Sequence, residues 1–90
     1  MIIEFDAAKR DKTLTERGLD FARAADVFMG PTVTREDTRA TYGETRFITA
    51  GALDGRLVII VWTPRGAARR IISMRKANER EIVALSDVLG

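Results

Sequence analysis

The sequence predicts an α+β domain in the order β-α-α-β-β-β-β-α, with helices packed on a largely antiparallel sheet. Three observations predict it. The first third places apolar residues at helical spacing behind Asp residues positioned as caps. The middle turns to β-branched residues punctuated by Gly and Asp. The run LVIIVW, Leu57 to Trp62, is apolar at every position, as expected of a strand buried on both faces in the centre of a sheet. No repeat, low-complexity tract or linker interrupts the chain, so residues 1–90 read as a single domain. That length is near the small end of what buries an adequate core unaided.

Ile2 to Phe5 is a short strand, and Asp6 can accept from the free amides of a helix beginning at Ala7. That helix, AAKRDKTLTER, is polar on most sides and ends at Gly18, which suits a left-handed C-terminal cap. Asp20 caps a second helix whose Phe21, Ala24, Ala25 and Phe28 form an apolar stripe, and Gly30-Pro31 ends it. Strands are expected over Thr32 to Thr38 and Glu44 to Ala50, with a loop near Ala40 to Gly43. Asp54-Gly55 is a hairpin turn, because both residues tolerate the positive φ it needs. After the central strand, Pro64 to Ala67 is a turn, Arg69 to Lys76 a last strand, and Asn78 the cap of a final helix. That helix runs through Leu89 with an apolar stripe of Ile82, Leu85 and Leu89.

Composition excludes several kinds of chemistry. There is no Cys, hence no disulfide framework, thiol catalysis or cysteine metal site. There is no His either, so acid/base chemistry must use Lys, Arg, Tyr, Asp or Glu, and a histidine-based ribonuclease mechanism is ruled out. Scattered carboxylates are poor ligands for a transition metal, and no metal or other cofactor is expected. The N-terminus lacks a cationic segment followed by an apolar run, and the longest apolar run is far short of a membrane span. A soluble, cytoplasmic protein without a membrane partner is expected.

Net charge is only +2, but it is unevenly distributed. Residues 65 to 81 carry six Lys/Arg (Arg65, Arg69, Arg70, Arg75, Lys76, Arg80) against Glu79 and Glu81. Such a patch suits an anionic partner, since the guanidinium fork matches phosphate oxygens. The competing reading is a solvated sheet edge that discourages aggregation. Strand parity places Arg69, Ile71, Ser73 and Arg75 on one face and Arg70, Ile72, Met74 and Lys76 on the other. Trp62 either packs in the core, which burial statistics favour, or stacks a base at the strand end. Tyr42, in ATYGE, is a packing anchor or a proton donor and stacking group.

Phe5-Asp6, Lys9, RGLDFARAADVFMGP, YGETRFITAG, LDGRLVIIVWTPRG and RRIISMRKANERE together resemble the BrnT family, the toxin half of a type II toxin–antitoxin pair. RIISMRKA followed by RE is the most specific piece. The resemblance implies a RelE-like fold and an endoribonuclease that cuts RNA and stops translation. It also implies a partner, a BrnA-like ribbon-helix-helix antitoxin that inhibits the toxin and alone contacts operator DNA. Within the matching segments, Arg65, Arg70, Arg75 and Lys76 carry over as catalytic candidates. Arg69, Ser73, Arg80 and Tyr42 are expected to bind RNA, and Glu44 and Arg46 to orient the site. Many relatives have Trp, His and Tyr where this chain has Phe5, Arg17 and Leu85, so catalysis here would lean on the basic cluster with Tyr42. The mechanism implied is metal-independent attack by a 2′-hydroxyl on the adjacent phosphate, with Lys76 or Glu79 as base. A binding module that holds nucleic acid or the antitoxin without cutting is the alternative.

Overall fold

A computed structural model describes residues 1–89. The elements are β1 (Ile2–Phe5), α1 (Ala7–Arg17), a 3-10 turn (Phe21–Arg23) leading into α2 (Ala24–Met29), β2 (Thr32–Glu36), β3 (Phe47–Leu53), β4 (Arg56–Arg65), β5 (Ala68–Lys76) and α3 (Glu79–Leu89). This is the expected order. One five-stranded sheet runs β1-β5-β4-β3-β2. Its β2–β3, β3–β4 and β4–β5 pairings are antiparallel, but β1 joins β5 in parallel, so the sheet is mixed. The apolar run lies in β4, the middle strand, with Val58, Ile60 and Trp62 on one face and Ile59 on the other, all buried.

Caps set the helix boundaries. Asp6 accepts from Lys9 N at 2.9 Å, and Gly18 closes α1 in the left-handed region at φ 70°. Asp20 accepts from Ala22 N and is gripped by Arg10 through Nε and Nη2, each at 2.9 Å, tying α1 to the next element. The second helix opens as a 3-10 turn, which shifts its buried stripe from the expected Ala25 to Val27, alongside Phe21 and Ala24. Val27 lies directly over β3. A Cβ built on Gly51 would come within 2.7 Å of Val27 Cγ1 and 2.9 Å of Thr32 Cγ2, so only glycine permits this approach.

One core forms between the helical segment and one sheet face, from Leu19, Phe21, Ala24, Val27, Leu53, Val58, Ile60, Trp62, Ile71 and Met74. Trp62 belongs to it. Its indole N–H donates to the Thr49 hydroxyl at 2.8 Å, and Thr49 is paired in turn with the Thr34 hydroxyl. Base stacking by Trp62 is thereby excluded, because the ring is packed between Phe28 and Phe47.

Several strand boundaries differ from the expected ones. β2 stops at Glu36 because Asp37 folds its carboxylate onto the backbone N–H of Arg39, the side-chain turn characteristic of Asp. β3 begins at Phe47, leaving Glu44 to Arg46 in the loop, and extends to Leu53 because the Asp54-Gly55 turn is tight, with φ 52° and 78°. β4 continues through Pro64 to Arg65, so the next turn is only Gly66-Ala67. Pro64 is tolerated because β3 pairing ends at Trp62, leaving that side of β4 without ladder bonds. In α3, Leu85 and Leu89 are half-buried but Ile82 is 45% exposed, so the expected stripe is only partly covered. No helix among the described residues is long and apolar enough to cross a membrane.

Candidate nucleic-acid interface

The basic strand β5 is not a regular strand. Ser73 pairs with Val61 and Ile71 with Trp62, which leaves Ile72 as the extra residue of a bulge. The bulge resolves a conflict within the sequence. Ile71 and Met74 are both needed in the core, yet they are an odd number of residues apart, and a regular strand would send them to opposite faces. One inserted residue puts both inside, where they are 2% and 0% exposed.

The same insertion rearranges the cations. Cross-strand partners share a face, so Arg75 lies with Ile59, Ser73 with Val61, and Arg70 with Thr63 and Glu4, all on the face away from the core. Arg70, Ser73 and Arg75 therefore stand together, whereas unbroken parity would have separated Arg70 from the other two. Arg69 and Lys76 go the other way. The Arg69 guanidinium lies 4.6 Å from the Phe28 ring centroid and 4.5 Å from that of Trp62, covering the core as a cation–π lid. Lys76 pairs with the buried Val58 and lines a separate cavity with Leu14, Asp20, Arg23 and Arg56. Neither belongs to the Arg70 face. Arg80 is exposed in the first turn of α3, and no ion pair among the described residues includes it.

Each arginine of this face is held by a carboxylate. Arg70 Nη1 donates to Glu4 Oε1 at 2.9 Å. Arg75 grips Glu81 with both terminal nitrogens, at 2.7 and 2.8 Å. Glu81 also accepts from Asn78 N while Asn78 Oδ1 accepts from Glu81 N, a reciprocal cap that starts α3. Beside Arg75, and with the Asn78 amide adding to it, the Glu81 carboxyl is lowered to about 2, and Arg75 is raised. Glu44 joins two cations: it accepts from Arg46 Nε at 3.2 Å and from Arg65 Nη2 at 3.3 Å. Glu44 and Arg46 are thus paired, and the pair reaches Arg65 on β4. Thr63 donates to the Thr45 carbonyl at 2.7 Å and pins the same loop to the sheet.

Two groups of residues near this face escaped sequence reasoning. Asp37, buried at the start of the loop, accepts from Arg39 Nε and Nη2, each at 2.7 Å, and from the Tyr42 hydroxyl at 3.1 Å. These bonds, Arg39 foremost, hold its carboxyl well below the usual carboxylate range. The available signal was an Asp followed by Arg and Tyr in a loop, which is too common to single out. The second group flanks β5, where β1 pairing ends at Ile71. There Arg17 donates to the Met74 carbonyl at 2.9 Å, and a cleft is lined by Lys9, Lys12, Glu16, Arg17, Ile72 and Ser73. Ser73 thus connects this cleft to the arginine face.

Chemically, the face offers guanidinium donors in fixed positions, one hydroxyl, and lysines along the adjoining cleft. No three of the acidic side chains converge as a metal site among the described residues. No curated protein matches the chain. A family model described as "Ribonuclease toxin, BrnT, of type II toxin-antitoxin system" matches residues 5–81, a span that includes β5, its bulge and every arginine of the face. The chain therefore belongs to the BrnT family of type II ribonuclease toxins.

Proposed function

We propose that the protein is a metal-independent endoribonuclease toxin of RelE-like fold that cleaves RNA on the Arg70–Ser73–Arg75 face and so arrests translation. The observation that carries this reading is the β5 bulge, which gathers Arg70, Ser73 and Arg75 on one face with Arg65 and Arg46 at its end. Arg70 and Arg75 bind the scissile phosphate and stabilise the charge that develops on it, and Arg65, at the end of the face, binds a neighbouring phosphate. The RNA 2′-hydroxyl attacks the adjacent phosphorus. The 5′-oxygen of the next nucleotide leaves, giving a 2′,3′-cyclic phosphate and a free 5′-hydroxyl. The proton lost by the 2′-oxygen and the one gained by the leaving oxygen need carriers. Lys76 lies on the other face, so the amines placed to assist are Lys9 and Lys12 in the cleft that Ser73 shares. Arg17 lines the same cleft, at the position where the family resemblance would place a His. Metal independence rests on the donor set, which has no His or Cys and no three converging carboxylates among the described residues.

Family membership implies an antitoxin partner. A BrnA-like ribbon-helix-helix protein covering the basic face would block RNA and neutralise charge together, and would provide the only contact with operator DNA. A second reading, in which the face binds nucleic acid or antitoxin without cutting, draws on one observation. The Tyr42 hydroxyl, a candidate proton donor, is committed to Asp37.

Induced expression in a bacterium, with and without the antitoxin gene, distinguishes the two readings. A ribonuclease arrests growth and the purified protein cuts RNA in the presence of a chelator. Arg70→Ala should lower that cleavage about a hundredfold, the usual cost of one lost charge-stabilising donor. Cleavage unchanged by Arg70→Ala would place the site elsewhere, and growth without arrest would favour the binding module.

A further inference from the structure

The loop between β2 and β3 is built around a buried charge, and a loop closed for packing alone has no need of one. The Asp37 side chain is 1% exposed, yet it remains ionised and takes two guanidinium bonds, one backbone bond and the Tyr42 hydroxyl. Burying a carboxylate costs several kcal/mol before its partners compensate, so such a group usually fixes geometry rather than adding stability. Its own N–H donates to the Arg46 carbonyl at 2.8 Å, which closes the loop on itself.

Two cations depend on this carboxylate. Arg39 is held directly, and its guanidinium lies close enough to Arg75 for the two charges to oppose each other. Arg46 is held indirectly: its guanidinium lies 4.1 Å above the Tyr42 ring, and that ring is anchored at its far end by the bond to Asp37. From Arg46 the connection runs through Glu44 to Arg65.

We propose that Asp37 is a positioning residue of the RNA-facing surface, setting Arg39 directly and the Arg46–Glu44–Arg65 group through the Tyr42 ring. This rests on the proposed function and adds to it, because it changes the role of Tyr42. The ring supports Arg46, and its hydroxyl is an anchor. The cations so placed lie at the rim and meet phosphates flanking the scissile one. Their interactions are alike in ground and transition states, so loss of position raises KM and leaves kcat in place. A purely structural role for Asp37 would do the opposite. It would reduce the fraction of folded enzyme, lowering apparent kcat at constant KM.

The test uses the full chain as Asp37→Asn, Tyr42→Phe, the double variant and the wild type, each at a temperature well below its own melting. Binding is measured by fluorescence anisotropy with a short mixed-sequence single-stranded RNA, 2′-O-methylated so that it cannot be cut. Cleavage of the unmodified RNA gives kcat and KM. The expected result is a Kd and KM raised about tenfold in Asp37→Asn, as one displaced charge-assisted contact allows, with kcat within twofold. The double variant should be no weaker than Asp37→Asn, because Tyr42 acts in the same chain. Kd unchanged in Asp37→Asn, or effects of the two substitutions that multiply, overturn the proposal. Wild type that binds the probe but never cleaves refutes the ribonuclease reading alone, leaving the positioning role to be decided by Kd. Wild type that does not bind refutes both.

Discussion

Replacing Glu81 by Gln tests how α3 is fastened to the candidate site. Glu81 receives both Arg75 terminal nitrogens and the Asn78 amide, and its carboxyl is lowered from 4.5 to about 2. Taken at face value that difference corresponds to about 3 kcal/mol. The Arg75 side chain is 44% exposed, however, and solvent screening brings an ion pair of this kind to about 1 kcal/mol. Gln retains an oxygen to accept from Asn78, so the substitution removes the charge and spares the cap. The sign follows from the lowered value. The pair contributes fully above pH 4.5, and its contribution is lost as the pH falls towards 2 and the carboxylate protonates. Urea unfolding of wild type and Glu81→Gln across that range checks this, because the other carboxylates cancel in the difference. At pH 7 the wild type should unfold at a urea midpoint higher by about 0.5–1 M, taking a denaturant slope of about 1–2 kcal/mol/M. The gap should close as pH approaches 2. A gap independent of pH, or no gap at pH 7, would refute the reasoning.

Four further substitutions test the frame behind the site. Gly51→Ala forces a methyl against Val27 and Thr32 and should cost about 1–3 kcal/mol, read as a melting temperature lower by about 4 °C or more. Adding Val27→Ala should recover part of that loss, and strictly additive costs would contradict the contact. Asp20→Ala removes the cap on Ala22 and the two bonds from Arg10, for about 1–2 kcal/mol in chemical denaturation. Trp62→Phe keeps an aromatic ring but deprives the buried Thr49 hydroxyl of its indole donor, which should cost about 1–3 kcal/mol.

Local signals were legible in the sequence wherever one residue decides the geometry. Asp6, Gly18, Asp20 and Asp54-Gly55 sit at the caps and turn expected of them, and the all-apolar run is the central strand. What escaped were features decided by two distant segments. The parallel partner of β5 is β1, more than sixty residues earlier, and no local pattern indicates its direction. Val27, buried in place of the expected Ala25, fits against β3 only because a residue far along the chain, Gly51, has no side chain to meet it. Asp37 could not be recognised because its importance lies in partners gathered by folding, and an isolated Asp in a loop ordinarily faces solvent.

The site itself depends on a conflict that is visible in RRIISMRK but not solvable there. Strict alternation buries either Ile71 or Met74, never both, and the apolar area at stake outweighs the loss of one regular ladder position. The fold takes the bulge, and its consequence for function is separate from its cause. Core packing, acting on two apolar residues, selects which arginines face outward together. The basic stretch accordingly splits into two populations that composition cannot distinguish. Arg70 and Arg75 look outward, each held by a carboxylate, while Arg69 is laid over Phe28 and Trp62 and Lys76 stands on the core side. Neutralising Arg69 should therefore destabilise the domain and leave RNA affinity near wild type, whereas neutralising Arg70 should do the reverse. The same effect from both substitutions in anisotropy and in thermal melts would mean that the bulge does not divide the cations as described.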